Sequence, residues 1–135
     1  MKLPESIIKK YQIAAVFLFG SRAARKAGPL SDYDFGVQLK KTINPSEYDE
    51  IKLKLTAEFA HLASCNLIDV VIMNNAPLLL KYQIFKYGKV IYDGNPSDRA
   101  RLMFETLREY LDWSYFEGLT SRALIKRTAE RGLNV

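Results

Sequence analysis

Three aspartates carry the strongest chemical signal in this sequence, and two of them stand close together. Asp32 and Asp34 begin a segment, Asp32 to Leu39, whose alternating apolar and polar residues predict a β-strand. A strand repeats every two residues, so both carboxylates are expected on one face and Tyr33 on the other. A divalent cation would relieve the repulsion between them, and Mg²⁺ prefers such oxygen ligands. For an isolated Asp-x-Asp pair, a solvated polar loop is the simpler interpretation.

The third aspartate, Asp69, interrupts the apolar run from Leu67 to Met73, which is predicted to be a strand. A charge inside a buried strand is costly unless it is paired or bound to a metal. No lysine or arginine occurs between Asn66 and Leu80 to pair with it locally. The alternatives are a remote arginine, or a strand edge whose face meets water. The position within the apolar run favours a functional carboxylate.

A possible phosphate site precedes the aspartates. Gly20 and Ser21 follow the continuously apolar segment Ala14 to Phe19, which predicts a strand buried on both faces, and they precede a short helical segment, Ser21 to Ala27. Glycine allows close approach of a ligand to the backbone, and the free N–H groups at a helix start favour an anion such as phosphate. The alternative is that Ser21 only caps the helix.

The elements that must position these residues follow from the hydrophobic pattern. In chain order the sequence predicts a helix from Pro4, a strand Ala14 to Phe19, a helix Ser21 to Ala27, a strand Asp32 to Leu39, a helix opened by Asn44-Pro45-Ser46, a strand Leu67 to Met73, a helix from Ala76-Pro77 to Gly88, a strand Lys89 to Tyr92, and a helix Ser97 to Arg131 broken at Gly118. This order indicates an α/β or α+β domain: a small mixed sheet of about four strands flanked by helices. We expect a core over residues 1–95 and a helical C-terminal arm over residues 96–135.

Composition limits the classes of protein. The chain has 135 residues, 48% of them hydrophobic and 26% charged, which fits one soluble domain. A net charge of +5 suits an anionic ligand or an acidic partner. One cysteine excludes an intramolecular disulfide and a cysteine-rich zinc site and suits a reducing compartment. No apolar run approaches the roughly 18–20 residues that cross a bilayer, and the N-terminus lacks a signal-peptide core, so we expect a cytoplasmic protein with no membrane contact.

The combination of these motifs is more specific than any one of them. Gly20-Ser21, ten further residues, Asp32-x-Asp34 and a later Asp69 together resemble the nucleotidyltransferase superfamily that includes DNA polymerase β. The short chain is similar to the minimal nucleotidyltransferases, and among them to the antitoxins paired with HEPN-domain RNase toxins. The resemblance covers about residues 13–93. Lys26 departs from it, because many relatives carry glycine at that point.

The resemblance implies the nucleotidyltransferase fold and a reaction that uses two Mg²⁺ ions and ATP. Asp32 and Asp34 would bind both ions, and Asp69 would complete the site of the ion that activates the nucleophile. Gly20 and Ser21 would hold the β- and γ-phosphates of the nucleoside triphosphate. In the antitoxin relatives, AMP is transferred to a tyrosine of the HEPN partner, and the toxin is thereby neutralised.

Two arginines after Gly20-Ser21 are further candidates for nucleotide binding. Arg22 and Arg25 lie three residues apart, so they share one face of a short helix and would neutralise triphosphate charge. A solvated basic face is the alternative for both. His61 is expected to be a surface or core-edge residue with no catalytic role.

Three other functions compete with AMP transfer to a toxin. The same fold would neutralise its partner by contact alone if the three aspartates were inactive. A nucleotidyltransferase acting on a small-molecule hydroxyl is the second alternative, although 135 residues leave little room for a substrate-holding domain. Direct nucleic-acid binding, suggested by the charge of +5, has no zinc-finger or RNA-recognition signature in its favour, and we do not expect it.

The C-terminal segment is dense in aromatic residues. Phe104, Tyr110, Trp113, Tyr115 and Phe116 exceed what one face of a packed helix requires. Tryptophan and tyrosine are enriched among residues that anchor protein interfaces, so some of them could form a partner surface. The alternative is that they cap the core of the domain itself.

Overall fold

The structure is a computed structural model and describes residues 2–20, 33–65 and 67–130. Four helices and four strands are present in these ranges. They are α1 (Glu5–Lys10), β1 (Ile13–Phe19), β2 (Tyr33–Leu39), α2 (Tyr48–Ala63), β3 (Ile68–Ile72), α3 (Leu78–Tyr87), β4 (Lys89–Asp93) and α4 (Pro96–Glu130), with short 3-10 turns at Pro45–Glu47 and Met73–Asn75. The predicted strands and the helices around them are confirmed to within one or two residues, whereas the predicted helix Ser21 to Ala27 lies outside the described residues.

The strands form one mixed sheet in the order β3-β2-β1-β4. The central strand β1 pairs antiparallel with both β2 and β4, whereas β2 and β3 run parallel. A parallel pair cannot be joined by a tight hairpin, so α2 carries the chain from the end of β2 back to the start of β3. The expected mixed sheet of about four strands is confirmed. Because β2 and β3 are parallel, both begin at the same end of the sheet.

Apolar side chains cover both faces of β1, as its continuous hydrophobicity predicts. On one face, Val16 packs in a cluster with residues of α1 and α2, including Ile7, Leu55 and Phe59. On the other face, Phe17 packs with Ile84 of α3 and other buried residues, and Leu102 of α4 lies against that cluster. Two helical layers therefore enclose the sheet.

The last helix differs from the prediction. Helix α4 runs without interruption from Pro96 to Glu130, so the predicted break at Gly118 is wrong. A glycine inside a helix costs only about 1 kcal/mol relative to alanine and does not end it. Asn95 caps the N-terminus of α4. Its side-chain oxygen accepts a hydrogen bond from the Asp98 N–H at 3.1 Å, and its side-chain amide donates to the Asp98 carboxylate at 2.9 Å. No helix in the described part of the chain is long and apolar enough to cross a membrane.

Candidate active site

Two of the three predicted carboxylates are brought together at the start of the parallel strand pair. Asp34 of β2 and Asp69 of β3 are register partners. Partners on adjacent strands project from the same face of a sheet, and adjacent strands lie about 4.8 Å apart. Two aspartates that are far apart in sequence are therefore neighbours on one face, as an oxygen-ligand site requires.

The environment of Asp69 differs from the prediction. The sequence suggested a charge within a buried strand, but Asp69 is exposed, and β3 is the last strand at one edge of the sheet. The burial cost argued from the apolar run therefore does not apply, and the water-facing alternative describes this residue. An exposed carboxylate next to the half-buried Asp34 is open to a ligand or a substrate.

Gly20 lies directly beside the carboxylate of Asp34. It follows β1 with φ +75, a left-handed conformation that side chains rarely adopt. A Cβ at this position would overlap the Asp34 carboxyl oxygen Oδ2 and lie 3.2 Å from its Cγ. These two constraints require glycine here whether or not a phosphate binds, so the predicted phosphate contact remains a prediction.

Four predicted site residues, Ser21, Arg22, Arg25 and Asp32, lie outside the described residues. Within residues 2–20, 33–65 and 67–130, no group of three or more histidine, cysteine, aspartate or glutamate side chains is placed to hold a metal ion. Because Asp32 immediately precedes β2, the strand period still predicts its carboxylate on the face of Asp34. The described part of the site thus supplies two hard oxygen donors, a set that suits Mg²⁺.

Sequence reasoning missed Gly36, a strand glycine at which other residues pack close to the sheet next to the site. It lies two residues after Asp34 on the same face of β2. A Cβ there would come within 2.9 Å of the Met73 sulfur and 3.2 Å of Ile84 Cγ2. Because Gly36 has no Cβ, Met73 and the α3 residue Ile84 pack closely against the sheet two residues along β2 from Asp34. A glycine inside an otherwise apolar strand was the available signal.

One cavity lies away from the carboxylates, between α1 and α2. Its volume is about 430 Å³, and it is lined by residues of α1 and α2, including Lys10, Lys54 and His61. His61 is exposed on the helical layer opposite the carboxylates, which confirms the predicted surface position. This cavity includes neither Asp34 nor Asp69.

Comparison with known proteins gives the family. A family model for the polymerase beta nucleotidyltransferases matches residues 2–97. This chain is a member of that family. The match spans every strand and the residues that position Asp34 and Asp69. Among curated proteins, none matches this nucleotidyltransferase.

The fold of this nucleotidyltransferase is similar to that of solved toxin–antitoxin structures. A crystal structure of a toxin–antitoxin with AMP-PNP gives a TM-score of 0.69 at 17% identity, covering 90% of this chain and 94% of that chain. A complex of a tri-AMPylated Shewanella oneidensis HEPN toxin with an MNT antitoxin gives 0.63 at 16% identity, covering 90% and 92%. The crystal structure of the toxin–antitoxin MntA-HepT gives 0.62 at 16% identity, with the same coverage. At these identities the likeness establishes the fold.

Proposed function

We propose that this nucleotidyltransferase transfers AMP from ATP to a tyrosine hydroxyl of a HEPN toxin and thereby neutralises it. The observation that carries the proposal is the pairing of Asp34 with Asp69 at one register position, directly beside Gly20. Similarity to a structure with AMP-PNP and to one with a tri-AMPylated HEPN toxin supports the nucleotide and the partner.

The residues fit a magnesium-dependent reaction. Asp34 and Asp69 offer carboxylate oxygens on neighbouring strands, and Asp32 is proposed as the third ligand. When bound, two Mg²⁺ ions neutralise triphosphate charge and stabilise the attacking and leaving oxygens of an in-line displacement. Gly20 and Ser21 are proposed to hold the β- and γ-phosphates, with Arg22 and Arg25 close enough in sequence to add positive charge.

The exposed carboxylate of Asp69 is the proposed proton acceptor. A tyrosine hydroxyl has an ordinary pKa of about 10, so it needs a base to attack at neutral pH. As the hydroxyl proton passes to Asp69, the phenolic oxygen bonds to the α-phosphorus. The bond from that phosphorus to the bridging oxygen breaks, and pyrophosphate leaves with the electron pair. Asp34, the register partner of Asp69, presents its carboxylate on the same face of the sheet.

The direct test is transfer of label from ATP to the partner. We expect ATP labelled at the α-phosphate, with Mg²⁺ and the cognate HEPN protein, to label that protein on tyrosine. Asp34→Asn and Asp69→Asn should each lower the rate by about 10²–10⁴-fold. Asp49→Asn, an exposed aspartate on α2, is the matched control and should retain the rate. A partner that is fully inhibited yet carries no label would contradict the proposal and favour neutralisation by contact alone.

Metal binding can be tested without the partner. A ligand at a hundred times its Kd stabilises the folded state by about 2.7 kcal/mol. Mg²⁺ should therefore raise the melting temperature of the wild-type chain and of Asp49→Asn, but not that of Asp34→Asn. An equal rise in both aspartate variants would remove Asp34 from the metal site.

A further inference from the structure

The outer face of α4 carries an apolar stripe, interrupted by the exposed Arg108, that the described residues do not cover. Phe104, Leu107, Leu111, Tyr115 and Leu119 are all at least two-fifths exposed. An α-helix turns about 100° per residue, which places these five side chains within about 60° of one line. The stripe extends over about 22 Å of the helix. Five large apolar side chains exposed along one helix face are typical of an interaction surface.

This stripe lies opposite the side by which α4 packs on the domain. The inner side contributes Leu102, which lies against the apolar cluster of α3 and β1, and the buried Thr106. Tyr110 stacks on Tyr82 of α3, with ring centroids 3.7 Å apart. The inner aromatic Tyr110 therefore packs against the domain, whereas Phe104 and Tyr115 face away from it.

Gly118 lies in the same stripe, and the helix gives no conformational reason for it. The helix continues through this position, and glycine is less favourable there than alanine. A Cβ at Gly118 would meet nothing within 4 Å. Absence of a side chain on an outer helix face permits close approach of a second backbone. The stripe therefore contains a natural crossing point for another helix.

The charges along α4 are complementary to those of a second, antiparallel copy. Residues 105–117 carry four acidic and one basic side chain, and residues 119–130 carry three basic and one acidic. The exposed Asp112 and Lys126 lie about 80° and 40° from the line of the stripe, on the same side and nearly four helical turns apart, and the midpoint between them is next to Gly118. In an antiparallel pair the same flank of each helix meets its counterpart. A crossing near Gly118 would then set Asp112 of each copy opposite Lys126 of the other.

We propose that two copies of this chain associate through the outer stripe of α4, with the helices antiparallel and crossing near Gly118. The association is isologous, so each contact is made twice. The stripe contains neither Asp34 nor Asp69, and the association does not depend on AMP transfer.

The test is the oligomeric state of the full chain, measured by sedimentation equilibrium without nucleotide or partner. We expect a dimer at about 10–100 μM protein. Tyr115→Glu should weaken association by about tenfold or more. Leu53→Glu is the control, because Leu53 is 74% exposed like the residues of the stripe but lies on α2. A monomeric wild type at these concentrations, or equal effects of the two variants, would overturn the proposal.

Direction and register are tested by exchanging charges. Asp112→Lys alone should weaken association, and the double variant Asp112→Lys with Lys126→Asp should restore it. Failure of the double variant to recover would overturn the antiparallel arrangement. A wild-type chain that stays monomeric but loses HEPN binding on Tyr115→Glu would assign the stripe to the toxin and overturn the second copy as occupant.

Discussion

The contact between Gly20 and Asp34 makes a quantitative test possible with Gly20→Ala. The alanine would have to adopt φ +75 and place its Cβ against the Asp34 carboxyl oxygen. A non-glycine residue held in a sparsely populated backbone region costs of order 1–3 kcal/mol. For a domain of this size that corresponds to a fall in melting temperature of about 4–10 °C.

The assay is urea unfolding followed by circular dichroism, with Gly118→Ala as the matched control. Because Gly118 lies within a helix and its Cβ direction is open, the same substitution there should stabilise the monomer by about 0.5–1 kcal/mol. If glycine-to-alanine lowers the free energy of unfolding at position 20 and raises it at position 118, the local backbone and the neighbouring carboxylate decide the effect. A Gly20→Ala variant within about 0.5 kcal/mol of wild type would refute the reasoning.

The two causes of the Gly20→Ala effect can be separated by a double-mutant cycle with Asp34→Ala. Removing the carboxylate relieves the overlap but leaves the positive φ. We expect a coupling energy of about 0.5–3 kcal/mol between the two positions. Strictly additive effects would mean that the Cβ and the carboxylate do not meet. Loss of magnesium-induced stabilisation in Gly20→Ala would link this contact to the proposed site.

Two further predictions concern stability away from the carboxylates. The side chain of Asn74 accepts a hydrogen bond from Leu39 N–H at 2.8 Å and donates to the Leu39 carbonyl at 2.9 Å. Asn74→Ala should therefore lower the free energy of unfolding in urea by about 1–3 kcal/mol. Asn75→Ala, at the exposed neighbouring position, is the control and should change it very little. Lys54 lies 2.9 Å from Glu50 and lowers the pKa of that carboxylate below 4.5. The stabilisation that comes with a lowered pKa is present above the ordinary pKa and is lost as pH falls through the folded-state pKa, so Glu50→Gln should lower the melting temperature slightly at pH 7 and not in acid below the folded-state pKa. Both groups are exposed, and the difference should vanish in about 1 M salt; a difference that persists there would contradict a screened surface pair.

The positions of the strands could be predicted because their short apolar or alternating runs differ from the three-to-four-residue spacing of apolar residues in the helices. Ile13–Phe19 is apolar at every residue, as expected for a central strand covered on both faces. Tyr33–Leu39 is followed by Lys40, and Ile68–Ile72 lies in a short run, Leu67 to Met73, that is bounded by asparagines, so the ends of both strands were located to within one or two residues. Local chemistry was sufficient for these elements.

The pairing of strands depends on long-range packing and was not available from local patterns. Nothing near Asp69 in sequence states that it faces water at a sheet edge, or that its register partner is Asp34. The resemblance to the nucleotidyltransferases, and not the periodicity, linked the two residues. At Gly118 the local pattern gave a wrong prediction. Glycine there suggested a break, but the helix continues on both sides of it.

The position of Asp69 on a terminal strand also bears on solubility. An outer strand presents unpaired backbone amides and carbonyls, which can template pairing with a strand from another molecule. A carboxylate on such a strand opposes this, since a new neighbour would have to desolvate its charge. We therefore expect the residue proposed to accept a proton to oppose aggregation as well. Neutral replacements at this position remove both properties together, so loss of activity there must be separated from loss of dispersed protein.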